Sequence, residues 1–221
     1  MIESVVFDIG STLVREDRYW GDWADWLGVP RHTLSALVGA VVAQGRDDKD
    51  AIRLVRPGVD IDAEWRAREA AGRGEWLDEP DVYPDVRSAL GGLRESGLRV
   101  VLAGNQSLRA GELLRELGLP VDAVATSSEW GVAKPDPEFF RRVLELGGAA
   151  PGDTLYVGDY PAFDIRPAKA AGLRAAHIRR GPWAYLWADR ADTADTADAA
   201  MADWRIDSLS ELVEIVAQPS V

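Results

Sequence analysis

Three aspartates sit where the sequence puts acids to chemical use. Asp8 ends the apolar run Val5-Val6-Phe7 and is followed by the small-residue turn Ile9-Gly10-Ser11-Thr12-Leu13. Far downstream, Thr154-Leu155-Tyr156-Val157-Gly158 ends in Asp159, with Asp164 five residues on. Between them, Val100-Val101-Leu102-Ala103 ends in Gly104 and Asn105. In an open α/β sheet, ligands collect outside the carboxyl ends of the strands, so an acid at such a tip meets whatever enters the crevice. A single Asp after a strand is as well explained as a helix cap or turn residue. The recurrence of strand followed by acid points instead to one shared site. Carboxylates converging from separate strands repel unless a cation sits among them, and a hard oxygen donor set suits Mg²⁺.

A nearby ammonium would serve the same end. The chain carries 25 Lys plus Arg, yet lysine occurs only at positions 49, 134 and 169. A chain that otherwise uses Arg, but places Lys134 just before Pro135-Asp136-Pro137, has chosen a compact point charge over a planar fork there.

The elements that must position these residues follow from hydrophobic periodicity. Strands are expected near 2–8, 98–103, 122–126, 153–158 and 173–178, most followed by helical stretches. Such alternation implies an α/β fold, a doubly wound (Rossmann-like) parallel sheet with right-handed crossovers. A helix over 85–96 shows Val86, Leu90 and Leu93 on one face and ends at Gly97. Asp136-Pro137 reads as N-cap plus first-turn proline for a helix over 138–146, which holds Lys134 just ahead of a helix start. Gly172 closes the helix after Asp164, Lys169 reads as a solvated surface charge, and 208–216 as a final amphipathic helix. Residues 19–80 break this rhythm with several helix-like segments. Trp20, Trp23 and Trp26 recur every third residue there, and Leu34, Leu37, Val38, Val41 and Val42 form a second stripe. Stripes of this kind usually mean burial, although a stacking wall for a sugar or aromatic group is the alternative. Residues 46–50 read as a solvated turn, His32 as a helix N-terminal residue and His177 as structural. The low-complexity stretch 188–203 reads as an excursion flanked by Trp183, Trp187 and Trp204, which are expected to pack.

At 221 residues the chain can hold one α/β core and a smaller inserted unit. A formal charge of −12 argues against a nucleic-acid partner and disfavours an anionic membrane surface, both of which need clustered positive charge. No cysteine is present, so there is no disulfide framework and no thiolate metal site. The N-terminus runs straight into the first strand and no segment has the length of a membrane span, so a cytoplasmic protein is expected. Dinucleotide, P-loop and His-Glu-x-x-His signatures are absent.

In this order the segments resemble the haloacid dehalogenase-like (HAD) hydrolase superfamily, mostly phosphatases. The resemblance covers roughly 1–18 and 81–216. It implies a Rossmann-like core over 1–18 and 81–221 and a substrate-selecting helical cap over 19–80. Asp8 matches the nucleophile of the first motif, Gly104 the usual Ser/Thr position of the second, Lys134 the lysine of the third, and Asp159 with Asp164 the acidic fourth. By this resemblance Asp8, the Gly10 carbonyl and Asp159 bind Mg²⁺, Asp164 orients Lys134 or a metal-bound water, and Gly10, Ser11, Gly104, Asn105 and Lys134 hold the phosphoryl group. The expected activity is hydrolysis of a small phosphorylated metabolite through an aspartyl-phosphate on Asp8.

Two positions depart from the pattern. Gly10 stands where phosphatases of the family carry a second Asp, the acid that protonates the leaving group, and a missing general acid forfeits about 10²–10⁴ in rate. Gly104 lacks the second-motif hydroxyl, and the adjacent Asn105 amide is the expected substitute. These departures favour leaving groups that need little protonation, such as aryl, acyl or anomeric phosphates. Glu16, Asp17 and Asp22 are near enough in sequence to replace the acid, but read better as helix-start acids. The alternatives are a metal-independent 2-haloacid dehalogenase, with Arg15 and Arg18 as halide ligands, and a regulatory protein that binds phosphate without turning it over.

Overall fold

The computed structural model describes residues 1–187 and 201–217; most of the low-complexity stretch, residues 188–200, lies outside them. In chain order the strands are β1 (Ser4–Phe7), β2 (Arg99–Gly104), β3 (Ala123–Thr126), β4 (Thr154–Gly158), β5 (Arg174–Ile178) and β6 (Trp204–Ile206). The helices are α1 (Asp17–Leu27), α2 (Arg31–Val42), α3 (Asp50–Val55), α4 (Ile61–Ala70), α5 (Val86–Glu95), α6 (Leu108–Glu116), α7 (Ser127–Trp130), α8 (Pro137–Gly147), α9 (Arg166–Ala170), α10 (Gly181–Trp187) and α11 (Leu209–Ala217).

The chain divides into two compact units, one of Met1–Arg15 with Asp78–Val221 and one of Glu16–Leu77. In the first, six parallel strands run in the order β3-β2-β1-β4-β5-β6. Chain order reverses at β1, which has β2 on one side and β4 on the other, and that is where a doubly wound sheet opens a crevice. β1 is buried along its whole length, as a β-branched strand covered on both faces should be. Register then fixes the site: Phe7 pairs with Leu102 of β2 and with Val157 of β4. Asp8, Gly104 and Asp159 therefore leave the sheet at the same edge. The sixth strand, β6, goes beyond the five expected; at three residues it is too short to carry a periodicity signal.

Helices pin this edge in place. Asp136 caps α8 by accepting from the Glu138 N–H at 2.8 Å, and Phe139, Phe140 and Val143 of α8 join Val6, Val101 and Tyr156 in one buried cluster. Each such side chain contributes about 1.5–3 kcal/mol on burial. Lys169 corrects the expectation of a solvated charge: its ammonium lies 2.7 Å from Asp203, which also accepts from Arg174 and from the Ala175 N–H and so ties α9 to β5. Where the chain leaves and re-enters this unit, Val14 and Val82 form an antiparallel bridge, with Arg15 N–H donating to the Asp81 carbonyl (2.7 Å) and Tyr83 N–H to that of Leu13 (3.0 Å).

The second unit holds α1 to α4. Trp20 and Trp23 of α1 and Leu34, Val38, Val41 and Val42 of α2 are buried. Trp26 donates from its indole nitrogen to Glu64 at 2.6 Å. Glu16 and Asp17 stand at the start of α1 and His32 in the first turn of α2. The turn at 46–50 is less solvated than its composition suggests. Arg46 pairs with Asp50 at 3.0 Å, and burial, with Asp47 beside it, pushes the Asp48 carboxyl up to about 6. No helix among the described residues is long and apolar enough to cross a membrane.

Candidate active site

Asp8, Asp159 and Asp164 each offer a carboxylate oxygen within 4.8 Å of the other two. They are 7%, 3% and 0% exposed. Asp8 follows β1 directly, and its N–H donates to the Val157 carbonyl of β4 at 2.8 Å, so the neighbouring strand fixes its backbone. Asp159 follows β4. Asp164 stands on a single π-helical turn, Pro161–Ile165, a wide local winding common at functional sites. One Asp164 oxygen accepts from the Tyr160 N–H at 2.9 Å. The approach needs glycine at 158, because a Cβ there would lie 2.4 Å from the Asp164 carboxyl carbon.

Lys134 completes the cluster. Its Nζ lies 2.6 Å from Asp8 Oδ1 and 2.6 Å from Asp164 Oδ1, with the lysine itself buried. The Tyr156 ring lies 5.8 Å from that nitrogen, and the Tyr156 hydroxyl donates to the Ala103 carbonyl at 2.9 Å. Burial alone would lower the lysine's pKa, but Asp164 and Asp8 outweigh it and hold the ammonium well above its usual range. Burial pushes the Asp8 carboxyl up to about 6 against the pull of Lys134, with Asp164 adding to the rise. Three buried carboxylates and one ammonium leave the cluster short of positive charge. The all-oxygen donor set fits a hard divalent cation better than a soft one.

The second-motif tip is built differently from the sequence expectation. A Cβ at Gly104 would fall 2.7 Å from Asp8 Oδ1, so any side chain there would move Asp8 from its contact with Lys134. The Asn105 amide, expected to face a phosphoryl oxygen, is engaged elsewhere: Oδ1 accepts from the Lys134 N–H at 2.8 Å and Nδ2 donates to the Lys134 carbonyl at 3.0 Å. Asn105 thus clamps the backbone that carries the ammonium. In the first loop the Ser11 N–H donates to the Val14 carbonyl at 2.8 Å and is spent inside the turn. Ser11 holds a φ of 53°, a left-handed conformation that costs a non-glycine residue about 1–2 kcal/mol. Gly10 lies beside Asp8 in the same loop, bridged to Val14.

Two further residues support the cluster. His177 of β5, read from the sequence as structural, is buried opposite Gly158, and its Nε2 meets the Asp159 carbonyl at 2.9 Å. Gly181 (φ 64°) packs so close that a Cβ would lie 2.4 Å from Ser11 Oγ and 2.9 Å from Asp159 Oδ2. Of the two arginines considered as halide ligands, Arg15 donates to the Pro80 carbonyl.

Comparison with known proteins agrees with this architecture. A glyceraldehyde 3-phosphate phosphatase of Methanocaldococcus jannaschii is 35% identical over 137 residues, 61% of this chain and 56% of that protein. A phosphatase of Mycobacterium tuberculosis is 29% identical over 175 residues, 77% of this chain and 75% of its own length. The chain spans about half the length of several curated relatives it matches, 41% to 57% for three of them. Among solved structures, a HAD hydrolase from Bacillus subtilis, bound to magnesium, superposes with a TM-score of 0.70 over 98% of this chain and 99% of that one, at 17% identity. The profile of the haloacid dehalogenase-like hydrolases matches residues 2–172, and the chain belongs to that family.

Proposed function

We propose that the protein is a Mg²⁺-dependent phosphatase of a small phosphorylated metabolite, with Asp8 as nucleophile. The observation that carries this reading is the cluster itself: three buried carboxylates within 4.8 Å of one another, two of them joined by Lys134 at 2.6 Å. The phosphatase names of the relatives from M. jannaschii and M. tuberculosis support it. A dehalogenase has no need of a carboxylate set able to hold a metal.

In this reading Asp8 attacks phosphorus. The bond from its carboxylate oxygen forms as the bond to the leaving oxygen breaks, and the electron pair departs with that oxygen. Water then attacks the aspartyl-phosphate, releasing inorganic phosphate and restoring Asp8. Asp8, the Gly10 carbonyl and Asp159 would hold Mg²⁺, which when bound neutralises charge on the phosphoryl oxygens. Lys134 supplies a second positive charge at the nucleophile. Asp164 and Asn105 act through Lys134, one on its ammonium and one on its backbone, and are positioning residues. Ser11 and the backbone at Gly10 and Gly104 line the phosphoryl side. The inserted unit takes the family's part of a substrate-selecting cap.

Gly10 brings no proton to the leaving group, so the substrates best served are phosphates whose leaving oxygen departs unaided: aryl, acyl or anomeric. A screen of metabolite phosphates with Mg²⁺ and with EDTA, run beside Asp8→Asn, tests the proposal. Phosphate release that needs the metal and vanishes in the variant is expected. Metal-independent halide release from a 2-haloacid would replace the reading with dehalogenation, and metal binding with no turnover across the panel would replace it with phosphate sensing.

A further inference from the structure

Among the described residues, several aromatic pairs cross edge-on. Phe139 and Phe140 meet at 68°, Phe140 and Tyr156 at 63°, Trp130 and Phe139 at 65°, and Trp23 and Trp65 at 84°. One group behaves differently. Tyr160 lies nearly parallel to Phe163 (centroids 4.6 Å apart, 16°), to Trp183 (3.9 Å, 16°) and to Trp187 (5.9 Å, 14°), and Trp183 stacks on Trp187 (5.3 Å, 26°). Trp183 and Trp187 are buried, whereas Tyr160 and Phe163 are only half-buried. Phe163 and Trp183, both near-parallel to Tyr160 at such short range, lie on its opposite faces, so Tyr160 is sandwiched and half-buried Phe163 ends the stack.

This ladder is anchored on the acidic turn. Tyr160 directly follows Asp159, and its N–H donates to Asp164. Trp183 stands two residues past Gly181, the glycine whose missing Cβ leaves room for Asp159 Oδ2. Edge-on packing suffices to fill a core, as the cluster around α8 illustrates; the end ring of a parallel stack, with part of its surface open, forms a platform on which a further planar ring can stack.

We propose that Phe163, the end ring of this ladder, forms a stacking surface for the aromatic leaving group of an aryl phosphate. The inference rests on the phosphatase reading and narrows its substrate class. It joins two features independent of each other. Gly10 offers no acid, so the departing oxygen must carry its electron pair away unprotonated and take its proton later from water. A phenolic oxygen does this readily, its conjugate acid having a pKa of about 10. The ladder, built from residues that neither hold the metal nor touch phosphorus, provides for the ring attached to that oxygen.

Calorimetric titration of the full chain in Mg²⁺ with phenylphosphonate and methylphosphonate, neither of which can be hydrolysed at a P–O ester bond, tests the platform without turnover. Wild type should bind the phenyl compound more tightly than the methyl compound. Phe163→Ala should weaken phenylphosphonate by about threefold to tenfold and leave methylphosphonate unchanged, and Phe163→Leu, which keeps apolar volume, should lie between. Because both ligands are measured on one sample, a misfolded variant reveals itself by losing both. Absence of a phenyl preference in wild type, failure of both compounds to bind, or equal losses in Phe163→Leu would overturn the proposal. Rates on p-nitrophenyl phosphate and acetyl phosphate, neither of which needs a proton donor, separate the two readings. A Phe163→Ala loss confined to the aryl substrate is expected. A phenyl preference in binding without hydrolysis of either would refute the phosphatase and keep the stacking surface.

Discussion

Two of the cations buried among the described residues, Lys134 and Arg68, are held in opposite ways. Lys134 sits between two carboxylates at 2.6 Å each. Arg68, in the inserted unit, is 2% exposed, and its Nε and Nη1 have no hydrogen-bond partner among the described residues. Its guanidinium lies instead over the Trp23 ring at 4.4 Å and the Trp65 ring at 5.6 Å, and burial lowers its pKa. A planar, weakly hydrated cation can rest on aromatic faces, whereas a compact ammonium demands anionic oxygens. At these two positions residue choice follows that division, the lysine standing where carboxylates meet and Arg68 where tryptophans do; buried Arg180 combines both, pairing with Asp85 and lying 4.3 Å from the Tyr83 ring. A chain that needs only stability has little reason to assemble three buried acids around a lysine, since well-packed apolar residues do as well or better. The charged cluster is therefore the candidate functional end of the comparison and the Arg68 cage the structural one.

Removing charge from each end should give unlike results. Asp8→Asn should abolish turnover by on the order of 10⁴-fold or more, as losses of covalent nucleophiles do, while leaving the fold intact by circular dichroism. Lys134→Met leaves Asp8 and Asp164 buried with no counter-charge and should cost about 3–5 kcal/mol in urea unfolding. Added Mg²⁺ should return part of that loss. A Lys134→Met protein as stable as wild type would mean that the acids are already neutral without the lysine.

The metal provides a test of intermediate size. Binding to the folded state alone stabilises by about 2.7 kcal/mol at a hundredfold excess over Kd, so EDTA should lower the unfolding midpoint of wild type more than that of Asp8→Asn. Protons compete for the same oxygens. Burial raises the Asp8 pKa from 3.8 to about 6, so folding disfavours its charged form. Its contribution to stability is fully present below pH 3.8 and is lost as pH rises through about 6. In EDTA, wild type should therefore lose stability relative to Asp8→Asn between those values. Saturating Mg²⁺ should shrink the difference and move the acid limb of kcat/KM to lower pH.

At the aromatic end the expected effect is smaller and of opposite sign. Arg68→Met removes a buried cation whose Nε and Nη1 have no hydrogen-bond partner among the described residues and keeps an unbranched stem against Trp23 and Trp65. It should leave stability unchanged or raise it by about 1 kcal/mol. A loss above about 2 kcal/mol would show that the ring contacts outweigh desolvation and would erase the contrast with Lys134.

The functional end of this comparison was open to sequence reading because strand tips announce themselves: an apolar run stopping at Asp8 or Asp159 fixes both the strand and the edge it leaves. The caps were equally readable, since Asp136-Pro137 and Gly97 act through their own backbone chemistry. What could not be read lies in contacts between distant segments. The Asn105 amide pairs with a backbone 29 residues away, and Lys169 reaches Asp203 across 34; neither has a periodicity to betray it. The limits of the inserted unit, Glu16–Leu77 by compactness, fall about three residues before the 19–80 expected. The expected start at 19 falls inside α1, which begins at Asp17, because the strand-helix rhythm does not mark where the chain leaves the core.

Ser11 offers the finest distinction, because it separates strain from chemistry within one loop of the charged cluster. Its φ of 53° is a conformation glycine adopts without penalty, so Ser11→Gly should stabilise the protein by up to about 1 kcal/mol, the relief of left-handed strain partly offset by greater freedom in the unfolded chain. If the hydroxyl also steadies the phosphoryl group, the same variant should raise KM severalfold. Ser11→Ala keeps the strain and loses only the hydroxyl, so equal KM increases in the two variants, with a stability gain in glycine alone, would assign the KM effect to the side-chain oxygen. A KM unchanged in both would reduce Ser11 to a turn residue packed against Gly181. The charged cluster would then bind phosphate through Lys134, the metal and backbone alone.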